Sequence, residues 1–200
     1  MTDAMLVLHG VAIKKHGTAS EVAELLQLDA DAVAAALNTA AQNGRVVQAK
    51  GKYSLAPAAR VALKSGYSAM FAEQRGDQAF VAAYDRFEAI NTELKQVITD
   101  WQVMEVGGKS VTNDHSDQAY DQAVIDRLGD VHERVEPVLE QLAQSLPRLS
   151  RYQQRLLAAL ERAEDGEIAW VSDASLGSYH TVWFELHEDL LRITGNVRSD

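Results

Sequence analysis

The sequence predicts a mainly α fold with one small β-hairpin, built in two parts, and three observations carry that prediction. Over residues 4–57, capped helical segments give way to two short β-prone runs. From residue 77 onward, apolar side chains recur at steps of four and three in four separate stretches. The charge also changes sign along the chain. Residues 1–64 hold seven Lys or Arg (Lys14, Lys15, Arg45, Lys50, Lys52, Arg60, Lys64) against five acids (Asp3, Glu21, Glu24, Asp29, Asp31), a balance of +2. The rest then carries −12 of a total of −10, which suggests two parts with different partners.

A chain of 200 residues suits one ordinary domain or two small ones, and its charged fraction of 24% is that of a globular protein. It contains no cysteine, which excludes a disulfide framework, Cys-ligated zinc and thiol chemistry, and suits a reducing compartment. The segment MTDAMLVLHG places Asp3 where a secretory leader would be basic, and no apolar run is long enough to span a bilayer. The expectation is a cytoplasmic protein with no membrane partner.

Residues 5–13, MLVLHGVAI, predict a short core-packed helix that ends at Lys14, Lys15, His16 and Gly17. Thr18-Ala-Ser-Glu21 is a capping box, and the helix it starts places Val22, Leu25 and Leu26 on one face. Asp29 caps a third helix carrying Val33, Ala36, Leu37 and Ala40 inward, stopped by Asn43-Gly44. Arg45–Lys50 and Tyr53–Leu55 read as two strands joined by a turn at Gly51-Lys52, with Pro57 ending the second.

This order resembles the winged helix-turn-helix domain of bacterial transcription regulators, including the MarR and PadR types. The similar runs are the turn Leu26-Gln-Leu28-Asp29, the wing entry Asn43-Gly44-Arg45-Val46, and the exit Tyr53-Ser-Leu-Ala-Pro57-Ala-Ala-Arg60. The resemblance covers about residues 4–64 and leaves the C-terminal part unrecognised. It implies that the third helix enters the major groove and the wing touches phosphates of double-stranded DNA. The residues so carried over are Ala35, Asn38, Thr39 and Gln42 on the helix, with Arg45, Lys50 and Lys52 on the wing. It also implies a homodimer reading two half-sites. Asp31, near the start of the third helix, departs from a basic reading helix.

Residues 65–76 continue a connecting helix from Ala58 to Gln74, and residues 77–200 predict a four-helix-bundle-like domain. The first seam is Phe80, Tyr84, Phe87, Asn91, Leu94, Ile98 and Trp101; the second is Tyr120, Val124, Leu128, Val131, Val135, Val138 and Leu142. Leu149, Tyr152, Leu156, Leu160 and Ala163 form a third, and Tyr179, Trp183, Leu186, Leu190 and Ile193 a fourth. Pro137 should bend or split the second helix. Residues 106–117 read as a long polar loop. On the last helix His180, Trp183 and His187 share a face, and with Tyr179 they are a candidate small-molecule pocket.

No catalytic constellation emerges, so neither an enzyme nor a cofactor is expected. Gly108-Lys109-Ser110 lacks the glycine of a phosphate loop, since Val103 stands in its place. No histidine follows a Glu by three residues, and no two histidines are three or four apart, so no metal is expected. Ser175 has Asp173 where a nucleophile elbow needs glycine. The leading expectation is a DNA-binding transcription regulator whose acidic helical part dimerises, senses a small effector, or does both. The alternatives are an adaptor that binds another protein, favoured by Asp31 and the net charge, and a small-molecule-binding bundle.

Overall fold

The computed structural model describes residues 3–197. Its elements are α1 (Ala4–Lys14), α2 (Ala19–Leu26), α3 (Ala30–Gln42), β1 (Val46–Ala49), β2 (Lys52–Leu55), α4 (Pro57–Met70), α5 (Ala72–Gly76), α6 (Gln78–Gln102), β3 (Val103–Val106), β4 (Lys109–Thr112), α7 (Gln118–Ser145), α8 (Ser150–Glu164), α9 (Ala169–Ser172) and α10 (Tyr179–Thr194). The fold is mainly α with two small antiparallel hairpins. Among the described residues, no helix is long and apolar enough to cross a membrane. Two compact units divide the chain. The first takes the residues up to Gly76 together with those from His187 onward, and the second takes Asp77–Leu186. The sequence had grouped 187–200 with the bundle; in the structure the end of α10 belongs with the first unit, where Asp189 and Arg192 pair with α1 and α4 and the Ile193 carbonyl accepts from Arg75 of α5.

In the first unit, Asp3 caps α1 by accepting from the Met5 amide at 2.8 Å, and Thr18 with Glu21 closes a full capping box on α2. Val22, Leu25 and Leu26 are buried against Val7, Leu8 and Val11 of α1 and Val33 and Leu37 of α3. Gly10 is what lets α1 and α2 approach: a Cβ there would lie 2.9 Å from Leu26 Cδ1 and 2.9 Å from Val22 Cγ1. Both neighbours are themselves buried and cannot swing away. Gly10→Ala is therefore expected to destabilise the first unit by about 1–3 kcal/mol through overpacking, read as faster amide exchange along α1 and α2. Unchanged exchange would mean that the helices yield freely at this point.

The first hairpin differs from the sequence reading by one residue. Val46 pairs with Leu55 and Ala49 with Lys52, so the turn residues are Lys50 and Gly51, not Gly51 and Lys52. Both have positive φ (51° and 77°), the geometry a two-residue turn needs to follow the twist of the strands. An isolated antiparallel bridge from Gly17 to Tyr53 pairs the chain before α2 with the outer edge of β2.

A chain of buried polar contacts crosses the first unit. His9, inside the apolar run of α1, has Nε2 2.9 Å from Asp189 Oδ1, and both side chains are 0% exposed. Its Nδ1 lies 3.2 Å from the Tyr67 hydroxyl, which lies 3.5 Å from Arg192 Nη1. Arg192 cannot accept, so its N–H donates to the Tyr67 oxygen. The phenol O–H is then free to donate to His9 Nδ1, leaving His9 Nε2–H for Asp189. Burial pushes the Tyr67 hydroxyl up to about 12, so it stays protonated and keeps this donor.

In the second unit, Asp77 caps α6 by accepting from the Ala79 amide at 2.9 Å, and Asp117 caps α7. The four seams are buried, apart from the half-buried Tyr120, among the residues assigned to this unit. α6 packs on α7 and α7 on α8. The first part of α10 meets α6, where Trp183 stacks on Phe87 at 4.9 Å and donates to Asn91 at 2.9 Å. It meets α7 through Tyr179, whose hydroxyl is 3.2 Å from His132 Nδ1.

Pro137 does not split the helix that it was expected to bend or split: α7 runs through it, at the cost of the one amide that would have donated to the Glu133 carbonyl. A second expectation needs correction. Residues 106–117 are not a plain loop: Val103 pairs with Thr112 and Val106 with Lys109 around Gly107-Gly108, both at positive φ. Beyond the hairpin, Asn113 and His115 fold back on the buried carboxylate of Asp121, at 2.8 and 3.0 Å.

Candidate nucleic-acid interface

The α3 helix starts where Asp29 Oδ1 accepts from the Ala32 amide at 2.9 Å. Asp29 is therefore spent on the helix end, and Asp31 adds a second negative charge to the first turn, where the helix dipole favours it. With Val33 and Leu37 buried, Asp31, Ala35, Asn38, Thr39 and Gln42 are left on the exposed side. A Gly44 at φ 65° ends the helix, and the Arg45 amide donates back to the Ala40 carbonyl at 2.8 Å.

The hairpin is tied to this helix through Tyr53, which is buried. Its hydroxyl donates to Asn38 Oδ1 at 3.2 Å and accepts from Gln48 Nε2 at 3.0 Å. That bond fixes which way the Asn38 amide faces and uses its acceptor, while its NH2 stays available. Thr39 Oγ1 donates to the Ala35 carbonyl at 3.0 Å, so only its lone pairs remain outward. Gln42 is exposed with both its functions open.

Arg45, Lys50 and Lys52 are all exposed on or beside the hairpin, and no carboxylate within hydrogen-bonding distance pairs with them among the described residues. Lys50 is held at the tip by its left-handed backbone. Lys52 sits near enough to Glu21 to help hold that carboxyl below its usual range, although the Thr18 amide is the larger cause. The structure thus brings Asn38 to the hairpin and leaves all seven sequence-selected residues exposed in one unit.

The candidate pocket on the last helix has a different environment. Tyr179 and Trp183 are 0% and 2% exposed and packed on His132, Phe87 and Asn91. His180 is half-buried, and burial pushes its imidazole below the usual range. His187 is buried and falls in the first unit. None of the four lines the cavity of the first unit described below. Among the described residues, no group of three or more His, Asp or Glu is placed to hold a metal ion.

The second unit's core does contain a proton-sensitive group. His132 Nε2 is buried without a hydrogen-bond partner, and burial lowers its basicity despite Glu136 and Glu133 nearby. Because the folded value is depressed below about 6.5, protonation favours the unfolded chain. The stability of this unit should therefore be full above that value and fall as pH drops below it. Urea unfolding followed by tryptophan fluorescence at pH 7.5 and 5.5 measures this, with His132→Asn expected to narrow the difference, the rest including the likewise depressed His180; an equal loss in the variant would place the effect elsewhere.

Compared with protein families, with curated proteins and with solved structures, the chain matches none.

Proposed function

We propose that the chain is a DNA-binding transcription regulator. Its first unit is read as a winged helix-turn-helix module that docks on duplex DNA. Its second unit, read as a four-helix bundle, dimerises or senses a small ligand. The observation that carries this reading is the join between α3 and the hairpin. Three exposed cations with no carboxylate at hydrogen-bonding distance among the described residues, Arg45, Lys50 and Lys52, lie on or beside a hairpin bonded through Tyr53 to Asn38. Asn38 and Gln42 supply amides able to bond base edges, while the cations suit phosphates. A two-fold dimer would double these contacts and offset the modest basicity of one module.

Titrating a mixed-sequence duplex at several salt concentrations tests the reading. Three cations in each of two protomers predict a log–log slope of about −5, at about 0.9 per neutralised phosphate. A flat response or no binding would overturn it. The exposed Asp31 favours the second reading, a protein-docking adaptor. That reading expects no salt-dependent DNA binding, together with a protein partner that copurifies.

A further inference from the structure

The first unit contains a cavity of about 770 Å3, and its lining runs against the charge of the chain. Acids outnumber Lys and Arg by 29 to 19 in the sequence, yet among the described residues the cavity is lined by Lys15, Arg60, Lys64, Arg75 and Arg192 against one carboxylate, Glu188. Glu188 is already committed, at 2.7 Å, to Arg192. Arg60 and Lys64 lie one turn apart on α4, both exposed, and neither has an ion-pair or hydrogen-bond partner among the described residues.

Arg75 reaches the cavity by a different route. Its guanidinium donates to the Ile193 and Arg192 carbonyls at 2.7 and 3.1 Å and to Ser68 Oγ at 3.0 Å, capping the end of α10. Those partners are neutral, so its full charge is offset only by the helix dipole. Gly195, at φ 85°, makes room for it, since a Cβ there would come within 3.0 Å of the guanidinium. Beneath the cations the lining is apolar and buried: Val11, Leu55, Leu63 and Leu191, with the Tyr67 ring.

We propose that this cavity binds a small organic anion, with a carboxylate or phosphate head on an apolar body of one or two rings. The volume lies within the range of small-molecule sites. The cations would meet the head by charge-assisted hydrogen bonds and the apolar lining would take the body. An inorganic anion would leave most of that apolar surface unfilled. The site does not rest on DNA docking, and its assay contains no nucleic acid.

The probes are 2-naphthoate and 2-naphthyl phosphate, with uncharged 2-acetylnaphthalene as the control, titrated into the full chain by calorimetry. At least one anion should bind about tenfold or more tightly than the control, as expected for one charge-assisted contact. Arg60→Glu with Lys64→Glu should erase that preference, and both sites are exposed, so circular dichroism should show the fold intact. Amide exchange should slow around Val11, Leu63 and Leu191 on binding. Equal affinity for anion and control, no binding of either anion, or an unchanged preference in the variant would each overturn the proposal.

Discussion

Lys50→Glu combined with Lys52→Glu is expected to weaken duplex binding on the order of ten-thousandfold at about 0.1 M salt, since two lysines in each of two protomers lose four phosphate contacts at roughly tenfold each. The loss should be nearly the same for every sequence, because phosphates carry no base identity. The log–log slope should become shallower in step. Both side chains are exposed, and Lys50 keeps its turn through backbone that Gly51 largely sets, so the fold should survive. Gln42→Ala should behave differently, leaving overall affinity nearly intact while changing which duplex is preferred by about 1–3 kcal/mol. A charge-reversed hairpin that binds as well as the wild type would remove the hairpin from the interface.

The second large effect concerns stability. His9→Leu should cost the first unit about 3–5 kcal/mol, because it strips the imidazole from a carboxylate that is 0% exposed. Asp189→Leu alone should also destabilise, by leaving the His9 ring without its carboxylate. The double variant should recover a substantial part of the summed loss, since an apolar pair of similar volume carries no desolvation cost. All three tryptophans, Trp101, Trp170 and Trp183, lie in the second unit, so fluorescence would miss the event. Amide exchange on α1 and α4 is the appropriate reading. Losses that simply add would mean that the two side chains act independently.

Local signals made much of this fold legible. The steps of four and three from Phe80 to Trp101 and from Val124 to Leu142 mark residues that are all buried, because helical periodicity and packing share one geometry. The capping box at Thr18 and the caps at Asp29 and Asp77 formed where short-range hydrogen bonding required. The second hairpin was missed and read as a loop, because its short strands Val103–Val106 and Lys109–Thr112 are exposed almost throughout and show no buried face, although Gly107-Gly108 marks its turn.

What the sequence hides is pairing at a distance. His9 looks like one polar residue in an apolar helix, and its partner Asp189 stands 180 residues away. The cations of the cavity are spread over α1, α4, α5 and α10, in segments that read as ordinary solvated helix faces. For α3, exposure was predictable from the spacing of Val33 and Leu37, but the bond from Tyr53 that orients Asn38 was not.

The most direct measurement of the central claim is amide exchange of the full chain with and without saturating duplex DNA. Docking of the first unit predicts slowed exchange in the second half of α3, around Asn38 to Gln42, and along the hairpin from Arg45 to Lys52. Exchange unchanged in both segments under conditions where the duplex is bound, with protection elsewhere, would contradict it.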